Sequence, residues 1–173
     1  MIKTITILTL SLAAMACAAS AKAGSCCAAS EAPPAAKPQS VAGKPLRAPL
    51  PAVLDAYAKI QAALAGDNVE GVADAAKTIA TALTDDPNKI LPAAITQAEA
   101  LGKAKTITEA RAAFKALNEI LVRYLAKEKV QTGQYQVVYC DMAKATWLQT
   151  DKAVKNPYYG KSMLTCGQIV GSF

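Results

Sequence analysis

From Leu50 to about Lys129, large apolar residues recur at spacings of three and four, the period that lines one face of an α-helix. Leu50, Val53, Leu54, Tyr57, Ile60 and Leu64 form the first such face. Pro51 suits its first turn and Gly66 its C-terminal stop. A second helix is expected from near Asp67, with Glu70 as capping partner three residues on. It carries Val69, Val72, Ala76, Ile79 and Leu83 and ends by Asp85 or Asp86, ahead of Pro87. The third presents Ile90, Leu91, Ala94, Ile95, Ala98 and Leu101 and stops at Gly102, with Pro92 marking a first turn or a kink. The fourth opens on Thr106-Ile107-Thr108-Glu109, a capping box. Its face is Ile107, Ala110, Phe114, Leu117, Leu121, Tyr124 and Leu125.

Four amphipathic helices joined by short loops predict an antiparallel bundle. Beyond Lys129 the helical period stops. Gln134 to Tyr139 is β-branched and aromatic and reads as extended. The remainder is dense in turn formers and aromatics: Trp147, Asn156-Pro157, Tyr158, Tyr159 and Gly160. The expected fold class is therefore all-α. An antiparallel four-helix bundle over residues 49–129 carries an irregular C-terminal segment, 130–173, folded back over one end or face.

The N-terminus reads differently. Residues 1–23 have the form of a secretory signal, with Lys3 before an apolar stretch from Ile5 to Ala16 and Ala21-Lys22-Ala23 as the cleavage motif ahead of Gly24. The apolar stretch falls short of the ~20 residues a spanning helix needs, so no membrane span is expected. The destination is the periplasm or the exterior. Lipidation at Cys17 is the minority alternative, because Ala14-Met15-Ala16 lacks the leucine such signals carry. Residues 24–48 are rich in alanine, lysine and proline (Pro33, Pro34, Pro38, Pro45) and have few large apolar side chains, which predicts a disordered tether. Cys26 and Cys27 lie in it without an assigned role.

Charge and composition mainly exclude. The 173 residues carry a formal net charge of +6, but the lysines are scattered and lack interleaved aromatics, so nucleic-acid binding is not expected. The chain has no histidine. It shows no Ser/His/Asp set, no glycine-rich phosphate loop and no C-x-x-C, and it is not read as an enzyme.

The chemistry concentrates in Cys140, Met142, Met163 and Cys166, where C-x-M is mirrored by M-x-x-C. Soft sulfur ligands select soft metals, above all Cu(I). Without histidine, the usual Zn²⁺, Ni²⁺ and haem sites lose their commonest ligand. On an extended chain, residues i and i+2 share a side; on a helical turn, i and i+3 are neighbours. With the Asn156–Gly160 turn bringing the ends together, a Cys2Met2 site able to hold Cu(I) or Ag(I) results. The alternative is a disulfide. Cys140 to Cys166 encloses 27 residues counted inclusively, and closing such a loop stabilises a fold by about 3–4 kcal/mol in the chain-entropy model. The methionines would then be packing residues.

The same segment resembles the C-terminal signature of a bacterial family first catalogued as a domain of unknown function. That family occurs as small secreted proteins and as a domain appended to periplasmic adaptors of heavy-metal efflux pumps. The matching residues are Tyr139-Cys140-Asp141-Met142-Ala143, Trp147-Leu148, Asn156-Pro157-Tyr158-Tyr159-Gly160 and Met163-Leu164-Thr165-Cys166-Gly167. Asp141 stands where the family has proline, and the segment between Ala143 and Trp147 is shorter than the family's. The resemblance implies copper or related heavy-metal handling, with components of an efflux system as partners. Asp141 is then a candidate outer-shell acceptor. Trp147 is either a packing anchor or a cation–π shield over the metal. The reading is an extracytoplasmic Cu(I)-binding protein, a chaperone, buffer or resistance factor. The alternative is a disulfide-stapled helical interaction module without metal. The mature chain is expected to begin at or near Gly24; intact-mass analysis of secreted protein checks this, and a lipid-modified Cys17 at the N-terminus would refute it.

Overall fold

The computed structural model describes residues 43–173. The expected signal segment, Cys17, Cys26, Cys27 and most of the expected tether lie outside the described residues. Four helices come first: α1 (Leu50–Ala65), α2 (Val72–Thr84), α3 (Pro92–Gly102) and α4 (Ile107–Glu128). A short parallel bridge joins β1 (Lys44–Pro45) to β2 (Val130–Gln131). A three-stranded antiparallel sheet follows, built from β3 (Gln136–Cys140), β4 (Ala145–Gln149) and β5 (Gln168–Ser172) in the order β4-β3-β5.

The fold is therefore mixed α/β, and the all-α expectation is corrected. Only β3 had a local signature. β4 and β5 are each five residues long, too short for a period to emerge, and β5 pairs with a strand about thirty residues earlier, with a bulge between Val137 and Val138. The four helices also do not close on themselves. α1 packs on α2, α2 on α3 and α3 on α4, but α1 and α4 barely meet, and β4 lies against both. The sheet occupies the side where a closed bundle would have placed its last helix–helix contact.

Local chemistry explains most helix limits. Pro51 and Pro92 sit in first turns, where a missing N–H costs nothing. The capping box at Thr106 and Glu109 is complete in both directions. The second helix departs from expectation. It begins at Val72, not Asp67, because Asp67 adopts φ 59° and turns its carboxylate towards the C-terminal segment. Within the stretch expected to be tether, Lys44 and Pro45 pair with β2.

The helices contribute a continuous core that includes Leu54, Ile60, Ile79, Leu83, Phe114, Leu117 and Leu121, none more than 1 % exposed. Within it lies a polar hub. The Tyr57 hydroxyl on α1 donates to Asn118 Oδ1 on α4 at 2.7 Å and accepts the Leu148 N–H of β4 at 3.0 Å. Asn118 Nδ2 donates to the Thr146 carbonyl at 2.6 Å. Burial holds the Tyr57 hydroxyl protonated far above its ordinary range. The sheet is tied down at its other end by Tyr135, whose hydroxyl donates to Leu54 O at 3.0 Å and whose carbonyl accepts the Phe173 N–H at 3.1 Å.

Tyr57→Phe should leave the Leu148 N–H and Asn118 Oδ1 buried without their partner and destabilise the fold by roughly 1–3 kcal/mol. Chemical denaturation measures this. A loss smaller than that of Thr106→Ala, a helix cap worth ~1 kcal/mol, would show that the hub does not carry the sheet.

Candidate metal centre

Cys140 is the last residue of β3 and pairs with Ala145 across the hairpin. The connecting turn, Asp141 to Lys144, closes with Lys144 in the left-handed region at φ 46° and its N–H donating to Asp141 O at 3.3 Å. Two outside groups hold the turn: Lys115 of α4 donates to Ala143 O at 2.9 Å, and the Tyr159 hydroxyl donates to Met142 O at 3.2 Å.

The chain returns to Cys140 through two side-chain hubs. Buried Gln149 accepts from Trp147 Nε1 at 3.0 Å and from the Lys155 N–H at 3.1 Å, and its amide nitrogen donates to Asp151 O and Ala153 O. Asn156, fully buried, comes next. Its Oδ1 accepts the N–H groups of Tyr158 at 2.8 Å and Tyr159 at 3.2 Å, and its Nδ2 donates to the Cys166 carbonyl at 2.8 Å. Its backbone N–H donates to Leu164 O at 2.7 Å. One asparagine therefore shapes the turn and fixes the backbone that carries Cys166.

A 3₁₀ turn, Gly160–Met163, bridges the two. It is anchored to the helices by Arg111 and Asp67. Arg111 donates to Pro157 O at 2.8 Å and Leu64 O at 3.0 Å, and pairs with Asp67 Oδ1 at 2.6 Å. Asp67 Oδ2 accepts the Lys161 N–H at 2.9 Å. Those contacts hold the Asp67 carboxyl below the usual carboxylate range, the Lys161 N–H first and the Arg111 hydrogen bond second. Gly160 has φ 56°, and a β-carbon there would run into Asp67 and Arg111, so only glycine fits.

These supports bring the two sulfurs to 2.9 Å. Both are free thiols. Cys140 is buried with Val138 and Trp147; Cys166 is half-buried at the edge of the same cluster. Burial pushes the Cys140 thiol up, but the Cys166 thiol, the N–H groups of Ala143 and Met142 and the Asn156 amide together outweigh it and bring Cys140 below the ordinary thiol range. Cys166 moves the opposite way, raised mainly by its hydrogen bond to Cys140 and then by desolvation. The two shifts run in opposite directions, so Cys140 is the first of the pair to give up its proton. Gly167 follows directly, and a β-carbon there would strike the Trp147 ring at 2.6 Å. That close approach lets the chain pass over the tryptophan.

The structure brings Cys140 and Cys166 together and treats the thioethers differently. Cys140 ends its strand, so the alternation that was to align Met142 with it no longer applies, and the Met142 side chain is 61 % exposed. Its backbone N–H, however, acts to lower both thiols. Met163 closes the 3₁₀ turn, half-buried, and its carbonyl accepts the Cys166 N–H at 3.0 Å. Trp147 is fully buried against the cysteines, edge-on to Tyr158 with ring centres 6.0 Å apart. Asp141 faces solvent, pairs with Lys144 at 2.6 Å and makes no hydrogen bond to either sulfur. Arg111 and Gln149 support the site without having been singled out for it, whereas Asn156 was read as opening the turn that brings its two ends together. Only Asn156 had a local signal, as the first residue of an Asn-Pro turn.

Among the described residues no three His, Cys, Asp or Glu side chains cluster as a metal group. A metal here would rest on the two thiols, with thioethers as added donors. Such a set suits a soft monovalent ion better than Zn²⁺, which takes N, S and O ligands but gains little from thioethers. No described helix is long and apolar enough to cross a membrane.

Residues 53–133 match the model of a family described as a protein of unknown function, DUF3347. The match begins within α1, covers α2 to α4 and ends before β3, so the cysteine segment lies beyond it. Comparison with curated proteins and with solved structures finds no match.

Asp67 gives a signed pH prediction. Its folded pKa is depressed, so its contribution is present above the unfolded value of ~3.9 and is lost as pH falls through the lower folded value. Asp67→Asn can still accept the Lys161 N–H but loses the charge facing Arg111. The two proteins should differ in denaturation midpoint at pH 6 and converge as Asp67 protonates. A difference that persists unchanged into strong acid would contradict the anchor.

Proposed function

We propose that this protein holds Cu(I) outside the cytoplasm, as a chaperone, buffer or resistance factor, and passes it to components of a heavy-metal efflux system. The observation that carries the reading is the pair of free thiols at 2.9 Å, flanked in their two turns by Met142 and Met163. Deprotonated, Cys140 and Cys166 supply two soft donors and the charge that offsets a cation. Met163 lies within the same 3₁₀ turn and cysteine link, while Met142, on the exposed hairpin turn, has room to swing its thioether inward. Trp147 lies beneath, where it excludes water from one side. The signal-like N-terminus supports the extracytoplasmic location, and the C-terminal resemblance supports the link to efflux.

The same sulfur contact favours a second reading, a disulfide that staples a helical interaction module. The two readings separate by variant. Reduced protein should bind one Cu(I) tightly and Zn²⁺ weakly in competition with a Cu(I) chelator. Cys140→Ser and Cys166→Ser should abolish tight binding. Met142→Leu and Met163→Leu should weaken it by on the order of tenfold, ~1.4 kcal/mol, and Cys26→Ser with Cys27→Ser should leave it unchanged. Removing the metal should leave the helical far-ultraviolet signal intact, because the core runs through the helices. If both methionine variants match wild type, the sulfur-cluster site is wrong; the staple further requires that thermal stability fall equally in the two cysteine variants.

A further inference from the structure

The two thiols are chemically inequivalent in their access to solvent. Cys140 is 0 % exposed, covered by Val138 and Trp147, whereas Cys166 lies half-open at the rim. Both backbones are pinned. Cys140 sits in register with Ala145 at the end of β3, and Cys166 is held through its N–H to Met163 O and its carbonyl to Asn156 Nδ2. The sulfurs are already within ~1 Å of the ~2.05 Å of a covalent S–S bond. A buried thiol and an accessible one, preset at this distance, form the arrangement that thiol–disulfide exchange uses: one sulfur reacts with an external disulfide and the second resolves the adduct.

We propose that Cys166 is an exchange site for small solvent disulfides, that Cys140 is its resolving thiol, and that this reaction closes the metal centre. The chemistry balances. Cys166, passing its proton across the 2.9 Å contact to Cys140, attacks one sulfur of R–S–S–R, forming a Cys166–S–R bond and releasing one R–S⁻. The Cys140 thiolate then attacks the Cys166 sulfur, forming the Cys140–Cys166 bond and expelling the second R–S⁻. The released thiolates take up the two protons of the protein thiols. The protein dithiol is oxidised by two electrons and the small disulfide is reduced to two thiols. The sulfur electron pairs that bind a soft cation then lie in or beside an S–S bond and no longer act as thiolate donors. This last consequence rests on the copper reading; the exchange itself does not. In an oxidising compartment, loading and oxidation would compete for the same two atoms.

The test uses the reduced, metal-free chain with Cys26 and Cys27 replaced by Ser, and oxidised glutathione as the probe, followed by intact-mass and peptide mapping. The parent should close to the Cys140–Cys166 disulfide without accumulating an adduct. Cys140→Ser should accumulate one glutathione on Cys166. Cys166→Ser should form no adduct in the folded state, yet react like Cys140→Ser once unfolded in denaturant. That control separates burial from intrinsic reactivity, and equal thermal midpoints for the two variants exclude a folding artefact. Glutathionylation of folded Cys166→Ser as fast as of Cys140→Ser, or a stable adduct on the parent, would overturn the assignment. One equivalent of Ag(I) added beforehand should block exchange. If exchange proceeds as described but Ag(I) neither binds nor blocks it, the metal reading fails and the exchange site remains.

Discussion

The hydrogen-bonded triangle of Tyr57, Asn118 and strand β4 is the constraint on which the rest of the structure depends. It sits where α1 and α4 fail to close on one another, and it joins both helices to the sheet through partners that have no alternative in the core. A buried polar group costs most when left unpaired, so the hub tolerates one placement of β4. A strand that slips by one residue sends every side chain to the opposite face. Fixing Thr146 and Leu148 therefore also fixes Trp147 on the face opposite Leu148, with Val138 and Cys140, and through the β3–β4 register it fixes Cys140 at the strand end beside Ala145.

From that reference point the C-terminal segment is built as a supported loop. Gln149 gathers the chain leaving β4, Asn156 shapes the Pro157–Gly160 turn and holds the Cys166 carbonyl, and Arg111 with Asp67 ties the turn to α4 and to the end of α1. Nearly all of these bonds run from a side chain to a backbone group, so they position the main chain irrespective of which side chains it displays. The entropy of bringing together two cysteines 26 positions apart is lost on folding, before any ligand arrives. Glycine at 160 and 167 completes the arrangement by letting the backbone pass against Asp67 and against the Trp147 ring.

This geometry gives the site two layers. The inner layer is rigid: Cys140, Trp147 and Val138 form a satellite cluster beside the main core. The outer layer is open, with Cys166 at the rim and Met142 projecting into solvent. On the copper reading proposed above, the division has a clear physical sense. Buried donors keep the ion dry, and an exposed flexible thioether can approach an incoming or departing ion by associative exchange. The same openness leaves one thiol exposed to oxidants.

The sequence by itself determined the helices, their faces and most of their ends, because a 3.6-residue period, a capping box and two N-terminal prolines act within a few residues of one another. It also determined the chemistry available, since the absence of histidine and the mirrored cysteines and methionines are matters of composition and spacing. Tertiary structure decided the rest. Asp67 was read as the start of a helix because its contacts to Arg111 and Lys161 are 44 and 94 residues away. β4 and β5 became strands only because β3 lay between them, and their pairing turned an expected all-helical bundle into a mixed fold. The alternation that seemed to align Met142 with Cys140 failed because the strand ended at Cys140. Which sulfurs meet, which is buried and which faces water depend on long-range hydrogen bonds whose donors and acceptors carry no local pattern.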